Sequence, residues 1–286
     1  MSNAGNTVFL NWSESARFWD KHRQARREMF RPLGPALCAE ARVPAVAVDE
    51  PYQLLDVAAG PGDTTIDIAE SLGGNATVWC TDLVPDMVRI AERSAHERQA
   101  MNIRFCQSAA EKLPFGSNIF DAVLCRFGIM FFTDPLAAVG ETLRVLKPGC
   151  RVAYCVWGTR EANAHHRVVQ DVLDRYVTTP PPDPDAPGAY RFAQPGKLVA
   201  ILREAGALDV HERHFRFRIE ASLLFDSFFE VRTELSDSLR DKLRRMSEDQ
   251  KAAFKEDVRR ESRSFFSANG FSFPAEVLLV SGETPS

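Results

Sequence analysis

Between Tyr52 and Val156, short apolar runs alternate with helical patterns, and this alternation constrains the chain more than any single residue. The strand-like runs are YQLLDVA (52–58), ATVWCTD (76–82), NIRFCQ (102–107), FDAVLCR (120–126) and CRVAYCVW (150–157). Helical patterns fill the intervals Thr64–Leu72, Pro85–Gln99 and Pro135–Leu146. Strands separated by helices pair in parallel, because a parallel neighbour needs a long crossover. Pro85 suits the first turn of its helix, and Lys147-Pro148-Gly149 ends the one before the fifth strand.

The flanks read differently. Asn11–Cys38 forms one or two helices with Phe18, Trp19 and Phe30 on apolar positions. After the core come a helix at Glu161–Tyr176, a proline-rich break at Thr179–Gly188 and a helix at Lys197–Ala205. A strand at Leu208–Ile219, a charged helical stretch at Glu220–Phe266 and an apolar strand at Phe271–Gly282 complete the chain. The expected fold is an α/β, Rossmann-like sheet, mostly parallel with its last strand antiparallel. N-terminal helices precede it and a helical insertion comes before the final strand. The expected division is residues 1–50 as a helical cover, 51–219 with 267–286 as the core, and 220–266 as a cap.

Composition bounds the partners. Hydrophobic residues make up 45% and charged residues 26%, with a formal net charge of -4, so nothing points to a polyanion. No apolar run is long enough for a membrane span, and the first residues lack the charged-then-apolar pattern of a secretory signal. Six cysteines show no C-x-x-C pair and no zinc-like spacing, so no metal is expected. A reducing cytoplasm is the expected setting.

The loop after the first strand, LLDVAAGPGD (54–63), carries the chemistry. Gly60 and Gly62 allow close backbone approach, the helix N-terminus behind them favours a negative group, and Asp63 or Thr64 suits its cap. A dinucleotide site wants G-x-G-x-x-G, but Thr65 stands where the last glycine belongs. Asp82, 20 residues beyond Gly62, suits a ribose diol of either NAD or S-adenosylmethionine (SAM). Asp56 discriminates better: a carboxylate is unhelpful beside a pyrophosphate and suits a sulfonium or an ammonium.

Four later segments follow in order: CTDLVPDMV (80–88), SAAEKLPF (108–115), FDAVLCRFGIMFFTDP (120–135) and LRVLKPGCRVAYCVW (143–157). With the loop, this series resembles the class I SAM-dependent methyltransferases, in the small-molecule branch similar to the ubiquinone/menaquinone-biosynthesis enzymes. The resemblance covers residues 50–160 and extends more weakly through 187–210. It implies SAM as cofactor and S-adenosylhomocysteine as product. It assigns Ala58, Ala59, Gly60, Pro61 and Gly62 to the methionine part, near Asp56, and Asp82 to the ribose hydroxyls. It puts Leu83, Met87, Ala109, Ala110 and Glu111 about the adenine. Cys125, through its carbonyl, Arg126 and Phe127 would lie near the methionine amino group, and Phe18 and Trp19 in a covering helix.

Two residues depart from the family pattern. Ala58 replaces a usual glycine, which is tolerable at negative φ. Ala109 replaces an acid that often receives the adenine amino group, leaving backbone groups or a neighbour such as Glu111. A non-catalytic SAM-fold binding protein is therefore the alternative.

Methyl transfer is an in-line displacement in which positioning and exclusion of water do much of the work. A base is needed only where the acceptor loses a proton; His165 and His166, after the fifth strand, are the candidates. Tyr190 and Arg191 read as loop anchors. His211 and His214, three apart on a strand, make a poor metal pair. Phe225, Phe228, Phe229 and Arg232 have the spacing of a helix core. The Arg240–Arg245 and Arg259–Arg263 charges read as solvated faces.

The fourth strand lacks the acid or amide followed by two prolines that base-methylating enzymes carry, so nucleic acid is not an expected substrate. Arsenite is disfavoured because no cysteine cluster lies in the acceptor region. The expected acceptor is a small aromatic or lipid-like metabolite, methylated on oxygen or carbon. The oligomeric state is not legible.

Overall fold

The computed structural model describes residues 3–178 and 183–285, with side chains described from Trp12 onward. Most of the first half of the proline-rich break, residues 179–182, lies outside the described residues. Three helices come first: α1 (Asn3–Lys21), α2 (Arg23–Phe30) and α3 (Leu33–Glu40). One or two were expected there; Pro32 sits at the N-cap of α3 and turns the chain into a third. The core then alternates β1 (Tyr52–Val57), α4 (Asp63–Leu72), β2 (Ala76–Asp82), α5 (Pro85–Glu97), β3 (Ile103–Gln107), β4 (Phe120–Arg126), α6 (Pro135–Val145) and β5 (Leu146–Trp157). Beyond it lie α7 (Ala164–Leu173), α8 (Lys197–Glu204), β6 (Leu208–Ala221), α9 (Phe225–Glu234), α10 (Asp237–Arg244), α11 (Glu248–Ser262), β7 (Phe266–Ser267) and β8 (Gly270–Glu283).

The sheet runs β3-β2-β1-β4-β5-β8-β6, with β7 paired to β8. The pairs β1–β2, β1–β4, β2–β3 and β4–β5 are parallel, and β8 is antiparallel to both β5 and β6. Strand order therefore reverses beside β1, where β1 and β4 are neighbours. A crevice beyond the carboxyl ends of strands at such a switch point is where open α/β sheets hold ligands. The central strands have the near-continuous apolar runs that two covered faces require: Leu54, Leu55, Val123, Leu124, Val152 and Ala153 are all fully buried.

Several local signals hold and several shift. Pro85 does lie in the first turn of α5, and Asp134 caps α6 by accepting from the Ala137 N–H at 3.0 Å. The helix expected over Glu161–Tyr176 is shorter, because Asn163 binds the Thr159 and Glu276 carbonyls and starts α7 after it. The Lys147-Pro148-Gly149 stop does end α6, yet these residues enter β5 at a register irregularity opposite Phe120 and Ala122.

The helices α9, α10 and α11 stand between β6 and β8, as the composition of that stretch implied. They are bound to the N-terminal helix. Lys21 reaches Glu230 at 2.6 Å and Glu234 at 2.8 Å, and the His22 imidazole lies 2.5 Å from Glu234. Arg240 corrects the reading of its segment as a solvated face. Its side chain is 12% exposed, pairs with Asp237, bonds Ser15 at 2.8 Å and lies over the Phe18 ring. Removing those bonds strips a half-buried polar junction. We expect Arg240→Ala to cost about 1–3 kcal/mol. Hydrogen exchange should rise chiefly in α1, and unchanged exchange there would show that this junction does not hold the helix.

Candidate cofactor cradle and acceptor site

The glycine loop is sewn to the end of β2. The Ala59 N–H donates to the Thr81 carbonyl at 2.9 Å, the Gly60 N–H to Asp82 Oδ2 at 2.9 Å, and the Gly62 N–H to the Ala59 carbonyl at 3.2 Å. Gly60 and Gly62 both have positive φ, but for different neighbourhoods. A Cβ on Gly62 would stand 2.7 Å from the Ala91 Cβ of α5, so the loop is wedged against that helix. A Cβ on Gly60 would meet nothing within 4 Å, so that side of the loop faces open space.

Ala58 has φ of +53°, not the negative value that would make an alanine comfortable there. Its methyl group is accommodated at Gly128, where an added Cβ would come within 2.5 Å of it. The alanine thus carries left-handed strain, and its bulk is matched by a glycine after β4.

Two acids sit at the root of this loop. Asp56 is 1% exposed; Oδ2 accepts from the Thr65 hydroxyl at 2.6 Å, while Oδ1 is buried with no hydrogen-bond partner. Burial pushes its pKa up to about 6, against the opposing pull of the Thr65 bond and the Arg126 charge. Asp82 accepts from the Val84 N–H with Oδ1 and from the Gly60 N–H with Oδ2, both at 2.9 Å. Burial likewise raises it to about 6. Each Asp82 oxygen keeps a lone pair for a further donor.

The expected helix cap is not made. Gly62 is the N-cap of α4, without any side-chain bond, and Asp63 instead forms a buried ion pair with Arg26 of α2. Thr64 is buried, and Thr65 is spent on Asp56. Arg26 was missed in the sequence, where it stands in a strongly basic run that reads as solvated. It is 3% exposed, lies 4.5 Å over the Trp19 ring and keeps an unpartnered Nε. Burial first, and the nearby Arg126 charge with it, lowers its pKa to about 10 against the pull of Asp63.

Trp19 faces the same region: it packs with Trp12 on a cluster of Ala16, Val84, Met87 and Ile90, and its Nε1 is buried without a partner. Met87 and Trp19, far apart in the chain, are therefore in one apolar group. Leu83 is half-buried, and its carbonyl accepts from Gln107 at 3.2 Å. Ala110 is buried and Ala109 half-buried. Glu111 is partly committed elsewhere, since Oε1 accepts from the Thr133 N–H at 3.0 Å. Pro61 is buried in the loop. Cys125 is fully buried, and burial raises its thiol to about 12, so it is an inert apolar group. Phe127, with φ of +64°, leaves β4 and stacks on Trp157 with ring centroids 4.4 Å apart.

The histidine pair joins this aromatic wall. The rings of His165 and His166 are 4.0 Å apart, and Trp157 is 5.1 Å from the first and 5.0 Å from the second. His165 is 1% exposed and neither ring nitrogen has a partner. His166 Nδ1 and the Tyr190 hydroxyl are 2.6 Å apart, so Tyr190 is more than the loop anchor expected; Arg191 is one, donating to the Phe132 carbonyl at 2.6 Å. Burial drives both imidazoles well below their usual pKa, and Arg232 lowers them further. They are neutral near pH 7, and the same burial makes them weaker bases than a free imidazole. His211 and His214 go to different acids, Asp209 at 2.7 Å and Glu276 at 3.2 Å.

The order β3-β2-β1-β4-β5-β8-β6, with β8 antiparallel between β5 and β6, is the sheet of the class I SAM-dependent methyltransferase fold. The comparisons agree. The ubiE/COQ5 methyltransferase family model matches residues 40–175, just under half of the chain. An uncharacterized protein of Mycobacterium tuberculosis is 36% identical over 131 residues, 46% of this chain and 44% of its own. The chain thus spans under half the length of that relative. A demethylmenaquinone methyltransferase of Geobacillus is 26% identical over 189 residues, covering 61% of this chain and 78% of the relative.

Among solved structures, the Bacillus subtilis protein YcgJ superposes with a TM-score of 0.56 at 20% identity, covering 88% of this chain and 99% of that one. A Haemonchus contortus phosphoethanolamine N-methyltransferase in complex with SAM gives 0.55 at 16% identity, over 93% and 57%. The likeness inferred from the ordered motifs therefore holds for the fold, and residues 40–175 are similar to the ubiE/COQ5 methyltransferase family.

Two expectations follow from the loop. Ala58→Gly should raise stability by up to about 1 kcal/mol, relief of left-handed strain exceeding the added chain entropy, read as a higher urea midpoint. Lower stability would mean that the methyl group packs usefully against Gly128. A carboxyl whose folded pKa is raised binds more protons folded than unfolded, so its contribution falls as pH rises from about 4 to about 6. Relative to Asp56→Asn, the natural protein should lose up to about 3 kcal/mol across that window. A parallel pair of pH–stability curves would contradict the burial argument.

Proposed function

We propose that the protein is a SAM-dependent methyltransferase acting on oxygen or carbon of a small aromatic or lipid-like metabolite. The observation that carries this reading is the unpartnered Asp56 Oδ1 at the root of a loop whose Gly60 faces open space. A buried carboxylate oxygen without a donor is costly unless a cation or donor arrives with the ligand.

The residues fit that cofactor. Asp56 and the backbone of Ala58–Gly62 would hold the methionine portion, with Cys125 through its carbonyl, Arg126 and Phe127 alongside. Asp82 would take the ribose hydroxyls on its free lone pairs. Leu83, Met87, Ala109, Ala110 and Glu111 would border the adenine, and Trp19 would cover it. Arg26 is an added candidate for the methionine carboxylate, because its Nε has no donor-side partner while its other end is fixed by Asp63.

Bound there, SAM supplies an electrophilic methyl group whose transfer consumes positive charge. The chain's own part is to place the acceptor in line and to keep water out. Phe127, Trp157 and Phe30, with centroids between 4.4 and 5.9 Å apart, form an apolar wall beside Arg126. His166, neutral and held by Tyr190, or His165 would accept the proton that an acceptor hydroxyl or activated carbon gives up. No helix among the described residues is long and apolar enough to cross a membrane. Six free cysteines suit the reducing cytoplasm in which we place the protein.

A second reading, a metabolite-binding protein that keeps the fold without the transfer, is motivated by left-handed Ala58 and by Ala109 in place of an acid. Calorimetry with SAM and S-adenosylhomocysteine separates the two from the fold's other uses. We expect binding of both, and Asp82→Ala to weaken it by about 2–4 kcal/mol through two lost charge-assisted bonds. No heat at millimolar ligand would sink the methyltransferase reading, and an unchanged affinity in the variant would move the ribose elsewhere.

A further inference from the structure

The insertion brings a charge that nothing among the described residues answers. Arg232 lies on α9, in line with Phe225, Phe228 and Phe229, and spacing alone makes it a core-facing position. The phenylalanines behave accordingly: Phe225 and Phe228 are 7% and 1% exposed, among the rings of Phe266, Phe271 and Phe273. Arg232 is half-buried, its Nε is buried without a partner, and among the described residues it has no hydrogen-bond or ion-pair partner.

The groups around Arg232 do not compensate it. Its charge acts on His165, His166 and Tyr190, and the first two are neutral. Arg160 and Glu161 also act on Tyr190, but Arg160 is committed to Asp171 and Asp174. Among the described residues, Tyr190 is the group whose charge would favour the guanidinium, and burial raises its phenol above the usual value, so it stays protonated. Burial lowers Arg232 to about 10, which leaves it a cation at pH 7. Three buried polar atoms thus lack partners here, Nε of Arg232 and both nitrogens of the His165 ring, and the Arg232 charge is close enough to act on that ring.

A half-buried guanidinium with a buried Nε and no partner among the described residues is suited to a bidentate oxyanion. The neighbouring wall of Trp157 and Phe127 is flat and apolar, and it begins one residue after Arg126 on the cofactor side. We propose that Arg232 is a specificity residue of the acceptor site: the acceptor is an aromatic molecule bearing an anionic oxygen, which Arg232 pairs with while the ring lies against Trp157 and Phe127. This inference rests on the methyltransferase reading only for the name of the site; the pairing itself is a statement about binding. It narrows the acceptor class from aromatic or lipid-like to an aromatic carboxylic acid.

The test uses the full chain saturated with S-adenosylhomocysteine. Ligand-observed NMR measures the affinities of benzoate, benzamide, 4-hydroxybenzoate and phenol. We expect benzoate to bind at least tenfold more tightly than its neutral isostere benzamide. We expect Arg232→Gln to abolish that preference and Arg232→Lys to keep part of it. Phenol, neutral near pH 7, serves as the second uncharged control: preference for benzoate and 4-hydroxybenzoate over it is the expected order, and phenol binding as tightly as benzoate would overturn the pairing.

Equal binding of benzoate and benzamide, absence of binding by any anion, or a preference unchanged in Arg232→Gln would each overturn the proposal. Affinity for S-adenosylhomocysteine in the same samples serves as the fold control, since Arg232 is placed outside the cradle. Loss of that affinity in the natural protein would contradict the methyltransferase reading, whereas its retention with no anion preference would contradict only this one. Should Arg232→Gln unfold, Arg232→Lys keeps the charge and the stem, and a preference in it equal to the natural protein's would assign the effect to charge alone.

Discussion

A carboxylate taken out of water at the end of the first strand is the constraint on which the site depends. Asp56 is fixed by Thr65, which opens the helix after the loop, and Thr81 of the adjoining strand bonds the Asp56 carbonyl at 3.1 Å. Strand, loop and helix are therefore locked about one acid. Because Thr65 occupies the position where a dinucleotide fingerprint has glycine, the residue that rules out that fingerprint is also the one that holds Asp56. The half of the carboxylate left without a donor is the feature on which we base the proposal that the loop receives positive charge rather than a phosphate.

Around that acid the chain solves two steric problems with paired residues. Gly62 makes room for Ala91, and Gly128 makes room for Ala58. The second pairing explains how the loop tolerates an alanine in left-handed conformation. Its bulk is absorbed across the switch point between β1 and β4, at the place where the strand order reverses. Asp63, freed from capping, anchors Arg26, and Arg26 lies over Trp19 of the covering helix. The N-terminal helices in turn are joined to the insertion through Lys21, His22, Ser15 and Arg240, so the two share one polar seam.

The parallel core was legible because its strands are apolar on both faces and its turns carry glycine, proline or acid at the required offsets. Ordered motifs located Asp56, Asp82 and the loop for the same reason: they are local. What stayed hidden was long-range. Arg26 meets Asp63 and Arg240 meets Ser15 across hundreds of residues or dozens of them, and no periodicity in a basic run announces which guanidinium is buried. His166 and Tyr190 were both noticed, but only the fold brings them within 2.6 Å. The φ of Ala58 could not be read either, since it depends on Gly128, a residue 70 positions away. Arg232 shared its spacing with three phenylalanines, and only its missing partner sets it apart.

The central claim is that a buried, partly protonated Asp56 exchanges its proton for a cationic ligand. Calorimetry of S-adenosylhomocysteine binding in buffers of different ionisation enthalpy measures that exchange directly. Asp56 and Asp82 both stand at about 6, and a bound ammonium and ribose diol stabilise their charged forms. At pH 6 binding should release up to about one proton, and at pH 8 almost none. Proton uptake at pH 6, or a heat independent of the buffer, would contradict the account.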